Sequence, residues 1–173
     1  FLGMRIIAGE IEDRSLEIAY TVPGGVEKLW FAKLAAAMAL IVGAEVLLAS
    51  ASLVLFWTFP AGALYGALQG ATFYLVVSMS MGALFRNEAA GAMGTALVLC
   101  LNLLITDFGD NQLRISPFFN PGAIAASEKN LIGAAELFAQ TLQNRVGMLL
   151  FMTAIVSLAF MRANRREKML QSG

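Results

Sequence analysis

The sequence predicts an all-α, polytopic membrane helix bundle: four transmembrane helices preceded by an amphipathic helix at the water interface. Three observations predict it. The chain of 173 residues is 58% hydrophobic and 14% charged, whereas a water-soluble surface takes about a quarter charged residues. Its apolar residues gather into four runs near the roughly 20 residues needed to cross about 30 Å of hydrocarbon. Two of the connectors between these runs are too short to hold anything but a turn.

The first element is the charged stretch "GEIEDRSLEIAYTVPGG", residues 9–25. At about 100° per residue, Ile11, Ile18 and Val22 share one face, and Glu10, Asp13 and Glu17 turn away from it. Acids in the first turns suit the positive end of a helix dipole. Pro23, Gly24 and Gly25 stop the helix, because proline lacks a donor and glycine accepts a left-handed turn. An interfacial helix is expected, its apolar side on the membrane and its acidic side toward water. "FLGM" before Arg5 reads as the end of an apolar helix, so upstream spans are expected to be missing from the fragment.

The spans are expected at residues 34–57, 61–85, 89–106 and 146–161. Residues 1–32 then form the interfacial region and 33–173 the transmembrane domain. Pro60 turns the chain between the first two spans, and Arg86–Glu88 between the next two; connectors this short make consecutive spans antiparallel neighbours. The piece 107–145 carries "SPFFNPG", in which Pro117 and Pro121 interrupt any helix while Phe118 and Phe119 are apolar enough to dip into the interface. From Ser127 onward a helix is expected to run with little break into the last span, whose apolar run is short and borrows from residues 137–144. Lys and Arg are retained on the cytoplasmic side. Placing both ends inside leaves nine basic residues in the cytoplasm and Arg114, Lys129 and Arg145 outside. Trp30 and Lys33 at one end of the first span, and Trp57 at the other, are read as headgroup anchors.

Several function classes are excluded or disfavoured. The chain has no histidine, which removes a Ser-His-Asp triad, a histidine zinc site and an HExxH protease. No P-loop is present, so no nucleotide is expected to bind to the chain's own residues. A net charge of zero gives no footing for nucleic acid. The single cysteine, Cys100, lies in an apolar run and is assigned no role. No catalytic residue, metal ligand or cofactor is expected.

The segment "EIEDRSLEIAYTVP", followed ten residues after Pro23 by Lys33, resembles the E-R-E-x-G-T-L-E…P…G-K signature of type-2 ATP-binding cassette (ABC) exporter permeases. Glu10, Glu12, Ser15, Leu16, Glu17, Pro23 and Lys33 match the pattern; Ile11, Arg14 and Ala32 depart from it. The resemblance implies that residues around Glu10, Glu12, Asp13, Ser15, Leu16, Glu17 and Pro23 form a coupling helix resting on a separate cytoplasmic ABC ATPase. It also implies a second permease copy or paralogue, a short re-entrant region before the last span, and a place in the cell membrane. In that reading the chain is the permease subunit of an ATP-driven exporter and hydrolyses nothing itself.

Within the spans, Glu45 is the notable acid, at an insertion cost of about 2.5–3.5 kcal/mol. A protonated carboxyl bonded to a hydroxyl such as Ser50 or Ser52, or to a neighbouring span, is one reading, and a place on the substrate path or subunit seam is the other. Gly62, Gly66 and Gly70 put one glycine per turn on one face of the second span, allowing close backbone approach. Gln69, Tyr65, Thr72, Ser78 and Asn102 either line a cavity or bond between helices. Met79, Met81 and Met93 either form an adaptable wall or fill the core. The alternative to a permease is a non-transporting oligomeric membrane scaffold. An intramembrane enzyme lacks its acid, base and metal residues, and a secondary transporter lacks repeats and buried charge.

Overall fold

The computed structural model describes residues 2–12, 25–56, 61–106, 114–126 and 133–170. They form six helices, α1 (Met4–Glu12), α2 (Gly25–Phe56), α3 (Ala61–Phe85), α4 (Glu88–Ile105), α5 (Pro121–Ala126) and α6 (Ala134–Leu170), with no strand among the described residues. Four of them are long and apolar enough to cross a membrane: Gly25–Leu55, Gly62–Phe85, Glu88–Ile105 and Ala134–Arg162.

Helix α3 is the hub. Its apolar window is 56% buried, against 22% for α6, 6% for α4 and 0% for α2, so the other helices surround it. Outward side chains such as Leu47, Val54, Leu97, Leu149 and Leu158 are exposed, as befits a surface solvated by acyl chains. Hydroxyls on these helices are satisfied internally: Ser50, Ser80, Thr95, Thr153 and Ser157 each donate to the carbonyl four residues earlier. That bond removes the cost of a bare hydroxyl in hydrocarbon.

Helices α3 and α4 form a tight hairpin. Arg86, at φ +63°, ends α3, its amide donating to the Gly82 carbonyl at 2.7 Å. Asn87 caps α4 by accepting from the Ala90 amide at 3.0 Å. The helices touch backbone to backbone: a Cβ on Gly91 would lie 3.1 Å from Gly82 Cα. Helix α1 fills the notch so made, and a Cβ on Gly82 would meet the Met4 carbonyl at 3.0 Å and Ala8 Cβ at 3.2 Å. Ile6, Ile7 and Ala8 are buried there.

The described residues bear on three expectations and correct one of them, the role of Trp30. Of the interfacial helix expected over 9–22, residues 9–12 are described and belong to the helix Met4–Glu12; the rest of that expectation lies outside the described residues. The Ile6–Ile7–Ala8 core of α1 seats on the hairpin, and Leu2 and Gly3 lead into this helix. The boundary at 32/33 falls inside α2, which is continuous from Gly25, since nothing from Val26 onward breaks a helix. Trp30 is no headgroup anchor. It is 1% exposed, with its ring centroid 5.7 Å from that of Phe160, in the cluster that joins α1, α2, α3 and α6. Trp57 lies outside the described residues.

Helix α6 runs unbroken from Ala134 to Leu170. The last span therefore extends back through the polar residues 137–144, as their position before a short apolar run requires.

Candidate functional site

Two polar constellations stand at opposite ends of α3. At the end where α3 meets α4, α1 is fastened to both neighbours. Glu10 pairs with Lys33 of α2. Glu12 Oε1 accepts from the Glu88 amide at 2.8 Å, a carboxylate at the positive end of α4. Arg5 Nε donates to Glu88 Oε1 at 2.9 Å. The Glu10 side chain is 12% exposed, so the expectation that it points to water is corrected. The reason is geometric: α1 lies across the hairpin, bringing Glu10 within reach of Lys33. Asp13, Ser15, Leu16, Glu17 and Pro23 lie outside the described residues.

At the other end, residues 114–120 fold into an irregular turn against the start of α3. Gly70, nine residues into α3 and so about 13 Å along its axis, lets the Phe118 ring approach; a Cβ there would lie 3.1 Å from it. A Cβ on Gly66 would meet the Phe119 carbonyl at 3.7 Å, and one on Gly62 nothing within 4 Å. The glycine stripe thus receives this turn over two of its three positions. Phe119 is buried, and Phe118 stacks on Tyr74 at 5.6 Å.

Irregular backbone packed this deep must be satisfied by protein. Asn144 of α6, fully buried, donates both amide protons to the Arg114 and Ser116 carbonyls, each at 2.9 Å. Its Oδ1 accepts from Gln69 Nε2 at 2.9 Å. Gln69 Oε1 in turn accepts from Arg145 at 2.6 Å, and the Arg145 guanidinium lies 4.2 Å from the centroid of the Tyr65 ring. Gln69 belongs to this network. Tyr65 and Thr72 border, with Gln69, Arg145, Leu149 and others, a cleft of about 290 Å³ between α2, α3 and α6.

Glu45 joins neither constellation. It lies one and two turns beyond Ile41 and Ala37, on the face by which α2 approaches α3, and is half-buried. The expected Ser50 partner is not there, because the Ser50 hydroxyl donates to Val46 at 2.7 Å, and no hydrogen bond joins Glu45 to Ser52. Met79 is fully buried, Met81 packs against Gly94, and Met93 is exposed, so the three do not share one wall. Asn102 Oδ1 is buried without a hydrogen bond, while Ser78 is buried on α3 and borders a smaller cleft with Tyr74 and Thr95. A larger groove of about 500 Å³ runs between α3, α4 and α6, lined by Phe73, Met81, Phe151 and Leu158, with Arg162 at one end. Among the described residues no three His, Cys, Asp or Glu gather as a metal site.

Sequence reasoning missed Asn144, Arg145, Ser116, Arg5 and Glu88 as partners. The one signal available was the polar pair Asn144–Arg145 directly before an apolar run.

Long apolar helices meeting through glycines, an apolar exterior and a buried polar turn define a multi-pass, all-α membrane protein. Set against known protein families, curated proteins and solved structures, the chain matches none.

Proposed function

We propose that this chain is the transmembrane permease subunit of an ATP-driven ABC exporter, paired with a second copy or paralogue and worked by a separate cytoplasmic ATPase. The signature-like spacing from Glu10 to Lys33 motivates the reading. The observation that carries it is the fastening of α1 to two spans at once, through Glu10–Lys33 and Glu12 to the Glu88 amide. A push on the segment after Glu12 would reach α2 and α4 through those bonds, moving the spans as bodies rather than bending one loop. Glu10 and Glu12 then act as the joint, and residues 13–23 offer the surface to the ATPase. In this reading the α1 end, rich in Lys and Arg, faces the cytoplasm, both ends of the chain lie there, and the membrane is the cell membrane.

Gentle solubilisation from the native membrane followed by mass spectrometry tests it. An ABC ATPase recovered in stoichiometric amount is the expected result; a homo-oligomer free of any ATPase would favour the scaffold alternative and overturn the proposal. Glu17→Arg is expected to leave insertion intact and to uncouple ATP hydrolysis from transport.

A further inference from the structure

We infer that the cleft between α2, α3 and α6 is a binding site for an anionic phospholipid, its phosphate held by Arg145 and an acyl chain laid along Leu149 and Met152. The inference is independent of the transport reading.

The cleft has two unlike ends. Arg145, Gln69 and Tyr65 form the polar one, and Leu68, Leu149 and Met152 the apolar one. Along α6, Leu149 and Met152 follow Arg145 at four and seven residues, so all three share one helix face. Arg145 stands where the polar residues 137–144 of α6 give way to the apolar run 146–161, so polar and apolar surface adjoin along one helix. Headgroup and chain of one amphiphile thus meet the matching ends of one cleft.

The guanidinium carries the charge and geometry that an anion takes. No carboxylate pairs with Arg145 among the described residues, and no acid lines the cleft. Of its five N–H donors, the bond to Gln69 occupies one, and the Tyr65 ring supports one face. Gln69 cannot swing away, because its own amide is tied to Asn144, which is tied to the two carbonyls of the buried turn. The fork is therefore held in place on one side, and a guanidinium of this kind suits phosphate through its remaining donors. An unpaired charge at the edge of hydrocarbon is costly, and the anions present there in quantity are lipid phosphates. Basic pockets between transmembrane helices take such headgroups. A zwitterionic lipid would bring an ammonium group for which the cleft offers no carboxylate among the described residues, so the preference is for net negative charge.

Native mass spectrometry of the protein in nonionic detergent, titrated with phosphatidylglycerol or phosphatidylcholine of identical chains, tests this. Expected are phosphatidylglycerol adducts well in excess of phosphatidylcholine adducts, and a loss of about tenfold in apparent affinity for Arg145→Gln. Leu149→Trp, which fills the apolar end and leaves Arg145–Gln69 untouched, is expected to weaken binding as well and serves if Arg145→Gln does not fold. Equal binding of the two lipids, or phosphatidylglycerol binding unchanged in either variant, overturns the site. Displacement of the lipid by inorganic phosphate at equal concentration overturns the lipid in favour of a free anion.

Discussion

Asn144 makes three side-chain hydrogen bonds that tie α6 to α3 and to the turn 114–120. Its two donors and one acceptor satisfy the Arg114 and Ser116 carbonyls and fix Gln69, so the turn that carries Phe118 and Phe119 is held at depth by one amide. Removing it leaves buried acceptors bare, at about 1–3 kcal/mol for such a group. Asn144→Ala is therefore expected to lower the unfolding midpoint in detergent clearly, whereas the neighbouring, exposed Gln143→Ala should leave it in place. Asn144→Asp retains the acceptor but loses both donations, and is expected to fall with Ala. A midpoint for Asn144→Ala equal to that of Gln143→Ala would show that the network contributes nothing. Glu45 presents the opposite case, a carboxyl on the inner face of α2 with no hydrogen bond to Ser50 or Ser52.

At the scale of the element, α1 and the α3–α4 hairpin form one unit. Helices in lipid lack a hydrophobic drive toward one another and rely on close packing; Gly82 and Gly91 supply it by bringing backbones together, and α1 fits the notch that results. Adding atoms there displaces something. Gly82→Leu is expected to loosen α1 at an overpacking cost of about 1–3 kcal/mol, read as faster hydrogen exchange across residues 4–12 with the spans still protected. Gly62→Ala provides the contrast. Its Cβ would meet nothing within 4 Å, so the gain in helix propensity, up to about 1 kcal/mol, should stabilise α3. Two glycines on one helix thus carry opposite signs, and identical responses would refute the notch. The ion pair Glu10–Lys33 and the Glu12 bond to the α4 terminus then orient α1 more than they stabilise it, since partly exposed pairs contribute about 0–1 kcal/mol.

For the whole molecule the question is which surfaces meet lipid. Helix α4 is only 6% buried in its apolar window, and Cys100 on it is exposed. In sealed native vesicles Cys100 is expected to resist a membrane-impermeant maleimide and to react fully after denaturation. Ready labelling in the intact membrane would put α4 beside water and make it the wall of an aqueous path. The same logic applies to α2, whose apolar window holds no fully buried residue while its Lys33 end is locked to α1. One end of α2 is thus fixed, while Glu45 lies half-buried farther along the same helix.

Composition and run length alone determined the class: four apolar stretches of spanning length, short connectors, no histidine and few charges leave an all-α membrane bundle as the physical solution, because backbone groups in hydrocarbon must be satisfied within each helix. The close approach permitted by Gly66 and Gly70 was legible for the same reason, since one glycine per turn has few other uses. What approaches them was not legible: the partner is a turn some 50 residues away, and periodicity carries no information on long-range pairing. Nor did amphipathic spacing find α1, for its buried residues Ile6, Ile7 and Ala8 are consecutive, a pattern set by a notch around the helix rather than by one flat apolar face. Tertiary structure alone decided that Glu10 turns to Lys33 and that Trp30 is core rather than anchor. It alone joined Arg145 to Gln69 and Tyr65 above an apolar cleft. Each depends on which helix ends meet, and that is fixed by packing between segments distant in the chain.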